Sequence, residues 1–343
     1  MRRRKSRLPG IVDVAAAAGV SPATVSRYFN SPDMVRLRTR SLIRRAVDDL
    51  GYVRNRAMQS MIGGATGSVG LVIPTIDNAI FSEMLQAFSS CLAARDRTLL
   101  IAAHSYDLDQ EVLLVQSLLE QRIDALALVG LEHRPETLRL IDRLGMPTVF
   151  LWTFRDDQPW PCIGFDNEEA GRIAARHLID LGHHDILLVT GDETSNDRAA
   201  GRRKGALEAF RRVNITIPTG RQIISPYDIQ ASKDSILNIL KSKDRPTALL
   251  AGNDVIAQGA LFAACTGGLS VPWDLSIIGI GDFRGSSAVE PGLTTVRIPA
   301  RQVGELAADA LVKMIHEPDA DAVHQHRFPL ELVVRGTTRP IEA

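Results

Sequence analysis

From residue 69 onward the chain alternates short, continuous apolar runs with segments whose apolar residues recur every three or four positions. The runs VGLVIP, TLLIAA, DALALVG and PTVFLW predict buried strands near 69–74, 98–103, 124–130 and 147–152. Helical spacing between them predicts helices over 80–95, 109–121 and 135–144. A second series repeats the rhythm. DILLVTG, TALLAGN and LSIIGIG predict strands, with helices near 167–181, 198–213, 228–241 and 253–266. LTTVRIPARQVGELAADALVKMI and FPLELVVRGTT then predict a strand, a long helix and a last strand. Continuous β-branched runs separated by helices mark parallel sheets covered on both faces. Two such series predict two doubly wound parallel-sheet subdomains, with ligands at the carboxyl ends of the strands.

Before residue 60 the pattern is different. In AAAAGVSPATVSRYFN (15–30), a small-residue helix breaks at Gly19 and a second helix begins. Ser21 is a good N-cap and Pro22 fits the first helical turn, where its missing N–H costs nothing. Val25 is placed to lock the second helix onto the first, the packing of a helix-turn-helix. Thr24, Ser26 and Arg27 then fall on exposed parts of the second helix, where short polar donors and an Arg suit base edges and phosphates. GGATGS (63–68) reads as a flexible linker to the α/β body.

Charge sharpens this division. The net charge is zero, but residues 1–60 hold 13 Lys/Arg against 4 Asp/Glu, about +9, leaving about −9 on the remainder. A basic head on an acidic body is the electrostatic footprint of a polyanion-binding module. The basic residues continue beyond MRRRKSR through Arg27, Arg36, Arg38, Arg40, Arg44, Arg45, Arg54 and Arg56, which favours a folded surface over a solvated tail.

The length of 343 residues fits two or three domains. No apolar run is long enough to span a membrane, and the basic N-terminus lacks the apolar core of a secretory signal, so a cytoplasmic protein is expected. Cys91, Cys162 and Cys265 are widely spaced and read as reduced core residues. His183-His184 lacks a third ligand for a metal, and YDLDQE has too few oxygens for calcium. GIGDF lacks the third glycine of a dinucleotide loop. No metal, cofactor or catalytic constellation is therefore expected, and an enzyme is disfavoured. A solute-binding protein for transport would explain residues 69–335 but not the basic head.

VDVAAAAGVSPATVSRYFN closely resembles the opening of the lactose-repressor/galactose-repressor family of transcription regulators. The likeness continues through Thr39-Arg40, LGY (50–52), Asn55, GLVIP…DNAIF, DNEEAGRIAARHLIDLGHHDI, Arg202-x-x-Gly205, GNDVIAQGAL and PLELVVRGTT, in order. It implies an all-α helix-turn-helix head over 1–62, with a hinge helix at about 55–62, and a body over 69–343 resembling periplasmic sugar-binding proteins. The implied N-subdomain covers about 69–165 and 296–323, and the C-subdomain about 166–295 and 324–343. The implied partners are a near-palindromic DNA operator, a second copy of the chain and a small-molecule effector held between the subdomains.

Carried over by motif, Ser21, Pro22, Ala23, Thr24, Ser26, Arg27 and Asn30 face the major groove, with Pro22 and Ala23 setting base preference. Thr39 and Tyr52 take phosphate contacts, although packing explains Tyr52 equally well, and Asn55 is a further DNA-binding position. Met58 and Met61 fall in the hinge, Met61 where a minor-groove leucine wedge is usual and Met58 where a small residue is usual. Arg36 replaces a common capping Ser and Arg54 a common Pro; both add charge near the DNA backbone. The effector residues implied are Asn78, Ile80, Phe81, Trp152, Asp166, Arg202, Asn253, Gly281 and Asp282. Gly281 stands where many sugar-binding members have Asp, and G-x-G-D-F, VGLEHRPETLRLI and IGFDNEEAG resemble the gluconate-responsive branch. An anionic sugar acid is the effector this implies. Without a leucine-heptad tail after Ala343, association beyond a dimer is not expected.

Overall fold

The computed structural model describes residues 9–53, 65–317 and 325–341, which divide into an N-terminal unit ending at Thr66 and a second unit from Gly67 onward. The N-terminal unit is a small helical domain of α1 (Ile11–Ala18), α2 (Pro22–Asn30) and α3 (Leu37–Leu50). Its core is Val14, Ala15, Ala18, Val25, Ile43 and Ala46, with Tyr28, Phe29 and Tyr52 packed against it. Helix α1 stops because Gly19 takes a left-handed φ of 66°, which a glycine adopts without a Cβ penalty.

In the second unit, β1 (Ser68–Ile73), β2 (Thr98–Ala103), β3 (Ala125–Val129), β4 (Thr148–Leu151) and β5 (Cys162–Gly164) form one parallel sheet. The helices α4 (Ser82–Ala93), α5 (Leu108–Glu120) and α6 (Pro135–Leu144) connect its strands. After α7 (Asn167–Asp180) the second sheet is built from β6 (Ile186–Thr190), β7 (Gln222–Ile224), β8 (Ala248–Ala251), β9 (Ser276–Gly281) and β10 (Thr294–Arg297). Its connecting helices are α8 (Asp197–Arg212), α9 (Ile229–Leu240) and α10 (Asp254–Thr266). The chain then returns through α11 (Ala300–His316), which packs on α4 of the first half. It ends with β11 (His326–Arg327) and β12 (Glu331–Val333).

The two sheets share one topology. Their orders are β11-β5-β4-β3-β1-β2 and β12-β10-β9-β8-β6-β7, so each carries a 2-1-3-4-5 arrangement with one added edge strand. In such sheets the chain turns opposite ways after the first and third strands, opening a crevice at their carboxyl ends. The loops after β1 and β3, and after β6 and β8, are therefore where a ligand site is expected. Strand β11 pairs in parallel with β5, whereas β12 pairs antiparallel with β10. The last crossing between sheets thus follows Phe328, whose N–H donates to Gly164 O, and not residue 323 as the sequence implied.

Five strands of four or more residues are buried end to end: every residue of β3, β4, β6, β8 and β9 is buried. That explains why they read as unbroken apolar runs instead of alternations. The short strands β5 and β7 carry no comparable run and were not predicted. No described helix is long and apolar enough to cross a membrane.

Candidate functional site

In the N-terminal unit, Ser21 caps α2 by accepting from Thr24 N at 3.2 Å, and its Oγ lies 2.9 Å from Thr24 Oγ1. Pro22, Ala23, Arg27 and Asn30 are exposed along the same helix, with Ser26 half-buried beneath Asn30, whose Nδ2 donates to Ser26 Oγ at 3.3 Å. Val25 alone of this helix is fully buried. The predicted major-groove side is thus a largely accessible face, apolar at Pro22 and Ala23 and polar beyond them, on a helix fixed from behind. Thr39 is half-buried, and Tyr52 packs against Phe29 with ring centroids 5.9 Å apart. Arg36 makes no side-chain cap at the start of α3, so a helix end that a Ser would cap carries charge instead. Asn55, Met58 and Met61 lie outside the described residues.

In the second unit the crevice loops converge. After β1, Asn78 Oδ1 accepts from Ile80 N at 3.3 Å and starts a short helical turn that carries Ile80 and Phe81. Phe81 packs on Trp152 beyond β4, centroids 4.9 Å apart, and Trp152 on Phe165 at 5.8 Å. Trp152 is buried with a left-handed φ of 76°. Such a backbone costs about 1–2 kcal/mol for a non-glycine residue and persists only where its surroundings enforce it. Ser105, Tyr106, Ser195 and Asp282, on neighbouring strand-end loops, also have positive φ.

Arg202 enters from α8. Its Nε donates to Asn167 Oδ1 at 3.0 Å and its Nη1 to Gly252 O at 2.9 Å. Asn167 in turn donates to Trp152 O at 3.2 Å, joining the guanidinium to the strained tryptophan. Arg202 is 5% exposed, and burial pulls its pKa down. Among the described residues it makes no ion pair. Helix α8 comes this close because Gly205 faces α7: a Cβ there would stand 1.9 Å from Glu168 O, and one on Gly171 1.9 Å from Arg202 O. The Arg202-x-x-Gly205 spacing therefore places the Arg and removes the obstacle to placing it.

Asn78, Ile80, Phe81, Trp152, Arg202 and Asn253 line one pocket, joined by Tyr106, Asn196, Arg198 and Tyr227. Tyr106 and Tyr227, from opposite sheets, have ring centroids 6.0 Å apart, and Tyr227 Oη accepts from Asn196 Nδ2 at 3.1 Å. Burial pushes the Tyr106 phenol upward, so it stays a neutral donor and acceptor. The pocket adjoins a cavity of about 520 Å³ lined by Asn78, Tyr106, Asp192, Asn196 and Tyr227. Gly281 lines neither pocket but lies beside Ile80, where a Cβ would sit 3.3 Å from Ile80 Cδ1.

Two predicted residues are elsewhere. Asp166 caps α7 through Glu169 N at 3.0 Å and pairs with Arg327 at 3.1 Å; it lines a separate cavity of about 840 Å³. Its neighbour Asn167 takes the place beside Arg202, because the capping residue must turn back to its own helix. Asp282 is held by Arg297 at 2.7 Å and Arg335 at 2.6 Å. Asp254 was not predicted. It accepts from Asp282 N, Ser286 Oγ and Thr295 Oγ1 at 2.5–2.7 Å, tying the β9–β10 loop to α10. Burial outweighs these donors and pushes its carboxyl up to about 6. Among the described residues, no three His, Cys, Asp or Glu side chains form a metal-binding group.

Comparisons with known proteins agree with both halves. The family model for bacterial regulatory proteins of the lacI family matches residues 10–55, and that for a periplasmic binding protein-like domain matches residues 175–338. The HTH-type transcriptional repressor PurR of Yersinia enterocolitica is 31% identical over 337 residues, covering 96% of this chain and 98% of that protein. The crystal structure of the lac repressor dimer bound to operator and the anti-inducer ONPF has a TM-score of 0.83 at 27% identity, covering 97% of this chain and 100% of that one. That of transcription regulator GntR from Chromobacterium violaceum has a TM-score of 0.74 at 28% identity, covering 79% and 99%. With a helix-turn-helix head, two sheets of matching topology and a full-length relative among the repressors, the chain belongs to the lacI family of bacterial regulatory proteins and is a DNA-binding transcriptional regulator, not an enzyme.

Proposed function

We propose that the chain is a cytoplasmic repressor that binds a near-palindromic operator as a dimer and is controlled by a sugar acid of the gluconate type, held between the two sheets. The head supplies the exposed face of α2, with Pro22, Ala23, Ser26, Arg27 and Asn30 toward the major groove and Thr39 toward the backbone. Pro22 and Ala23 are apolar, so thymine-methyl contact and shape fit contribute more than hydrogen bonding there. A dimer follows from the geometry of such heads, which read two half-sites about one helical turn apart.

The observation that carries the effector reading is Arg202. A buried guanidinium whose hydrogen bonds go to neutral acceptors, Asn167 Oδ1 and Gly252 O, is a charge in search of a counter-charge. A carboxylate supplies it, and planar guanidinium geometry favours that group. Asn78, Asn253, Tyr106 and Tyr227 surround it with donors and acceptors for hydroxyls, while Phe81 and Trp152 offer an apolar wall for a carbon chain. The effector acts by population shift, stabilising one relation of the two sheets over another. Calorimetry with gluconate, related aldonates and neutral hexoses tests this. Preference for the acids is the expected result; binding of neutral sugars or purines alone overturns it.

A further inference from the structure

The chain enters the body through one backbone residue that is held on two sides. Gly67 precedes β1, which lies between β2 and β3 in the first sheet. Its N–H donates to Asp124 Oδ2 at 2.8 Å, and its carbonyl accepts from Thr98 N at 2.7 Å. Asp124, the residue before β3, donates its own N–H to Ser68 O at 2.8 Å. Gly67 turns with a left-handed φ of 75°, which a glycine adopts without a Cβ penalty. Arg97, the residue before β2, completes the arrangement by donating from Nη1 to the same Asp124 Oδ2 at 2.9 Å.

The Arg97–Asp124 pair is buried, each side chain 9% exposed. Among the described residues, no other ion pair of an Arg or Lys has both side chains so inaccessible. The second sheet shows what the same topology does where no linker arrives. There Arg221, the residue before β7, pairs with Asp185, the residue before β6, at 2.9 Å, but Asp185 is 41% exposed. A buried pair contributes little net stability over apolar side chains of like volume, because desolvation offsets the attraction. Its value lies in fixing the groups it touches, and here that group is the last residue of the linker.

We propose that Arg97 and Asp124 form an anchor that fixes where each linker begins, and so sets the operator spacing that the two heads of a dimer accept. This rests on the near-palindromic operator reading above and assigns it two positioning residues that belong to the body. Reach is the physical link. An extended chain spans at most about 3.6 Å per residue, and a base-pair step is about 3.4 Å. Each residue released from the body therefore lets a head shift by about one base pair. Holding Gly67 and Ser68 keeps both tethers short and alike, which concentrates the second head at one spacing.

The test uses the full chain and three duplexes: the palindrome that the wild type enriches from a random pool, its isolated half-site, and the palindrome with two base pairs inserted at its centre. Two base pairs is about the shift that one released residue on each tether covers. Fluorescence anisotropy reads the affinities. The insertion should weaken wild-type binding at least about tenfold. Arg97→Met with Asp124→Leu removes the grip on Gly67 without leaving a lone buried charge. In this variant the insertion should weaken binding by less than about threefold, while half-site affinity stays within about threefold of the wild type because the head is unchanged. Arg97→Lys, which keeps the charge, should retain most of the spacing preference. Arg97→Gln, which removes the charge alone, decides the question in the same way should the double variant fail to fold. Full spacing preference in the folded variant, or a wild type indifferent to the insertion, overturns the anchor and leaves the operator reading standing. A wild type that binds the palindrome no better than the half-site overturns the operator reading and the anchor with it.

Discussion

Arg202 Nε donates to Asn167 Oδ1 at 3.0 Å, and this bond ties α8 to the start of α7 at the point where both reach the cleft. Asn167 passes the contact to Trp152 O, so the guanidinium, the carboxamide and the strained tryptophan backbone are one unit. Replacing Arg202 with Met leaves Asn167 Oδ1 and Gly252 O without their donor. Each hydrogen bond to a charged group is worth about 1.5–3 kcal/mol. The expected outcome is a loss of gluconate affinity of at least about tenfold. Operator affinity without effector should stay within about threefold, less than one such bond is worth. Calorimetry and fluorescence anisotropy on the same preparation measure the two.

Gly205→Ala probes the same unit without touching a polar group. Its new Cβ would fall 1.9 Å from Glu168 O, so α8 must move away from α7. Overpacking of this kind destabilises by about 1–3 kcal/mol. Thermal unfolding should fall accordingly, and effector affinity should fall with it because Arg202 rides on the displaced helix. Normal affinity in a destabilised Gly205→Ala protein would show that Arg202 is not positioned by this contact.

How much of this was legible in the sequence depended on what each residue answers to. The long strands and helices were legible because residues buried on both faces must be apolar throughout. Strands β5 and β7 were not, since three residues are too few to form a recognisable run, whether buried between neighbours as in β5 or at the sheet edge as in β7. Arg202 and Gly205 were visible as a motif, and the structure supplies its reason in the close approach of two helices. Asn167 and Arg198 were missed because their roles arise from loops brought together by the fold, and no periodicity records that. Tyr106 was findable, since it sits just beyond a predicted strand end, where crevice residues belong; Tyr227 was not, because it follows the unpredicted β7. Asp166 and Asp282 misled because an acid beside a strand end serves equally well as a helix cap or an ion-pair partner.

The head offers a separate stability test. Val25 is fully buried between α1 and α3, so Val25→Ala should cost about 2 kcal/mol, and Ser21→Ala about 1 kcal/mol through the lost cap. Both should weaken operator binding, while effector binding, which belongs to the second unit, should not change. Circular dichroism melting and calorimetry distinguish the two readouts.

Stability should also fall on mild acidification. Burial lowers the pKa of His104, His177 and His183 below the ordinary value of 6.5. The unfolded chain therefore binds more protons than the folded one in this window. The histidine contribution is complete above about pH 6.5 and is lost as pH drops toward the lowered values. Asp254 acts oppositely: raised to about 6 from 3.8, it favours folding below about pH 4 and loses that contribution as pH rises through 6. Three histidines against one carboxyl give a net decline in Tm from pH 7.5 to 5.5. A flat or rising Tm contradicts the assignment of these histidines as buried and neutral.

Selection of bound DNA from a random pool, carried out on the full chain with and without gluconate, tests the regulator and its control together. A near-palindromic site should be enriched in one condition, and gluconate should change the affinity for it by at least about tenfold, a coupling of about 1.4 kcal/mol. Failure to enrich any palindrome in either condition would contradict operator recognition by this head. Enrichment of the same site with unchanged affinity would contradict its control by a sugar acid.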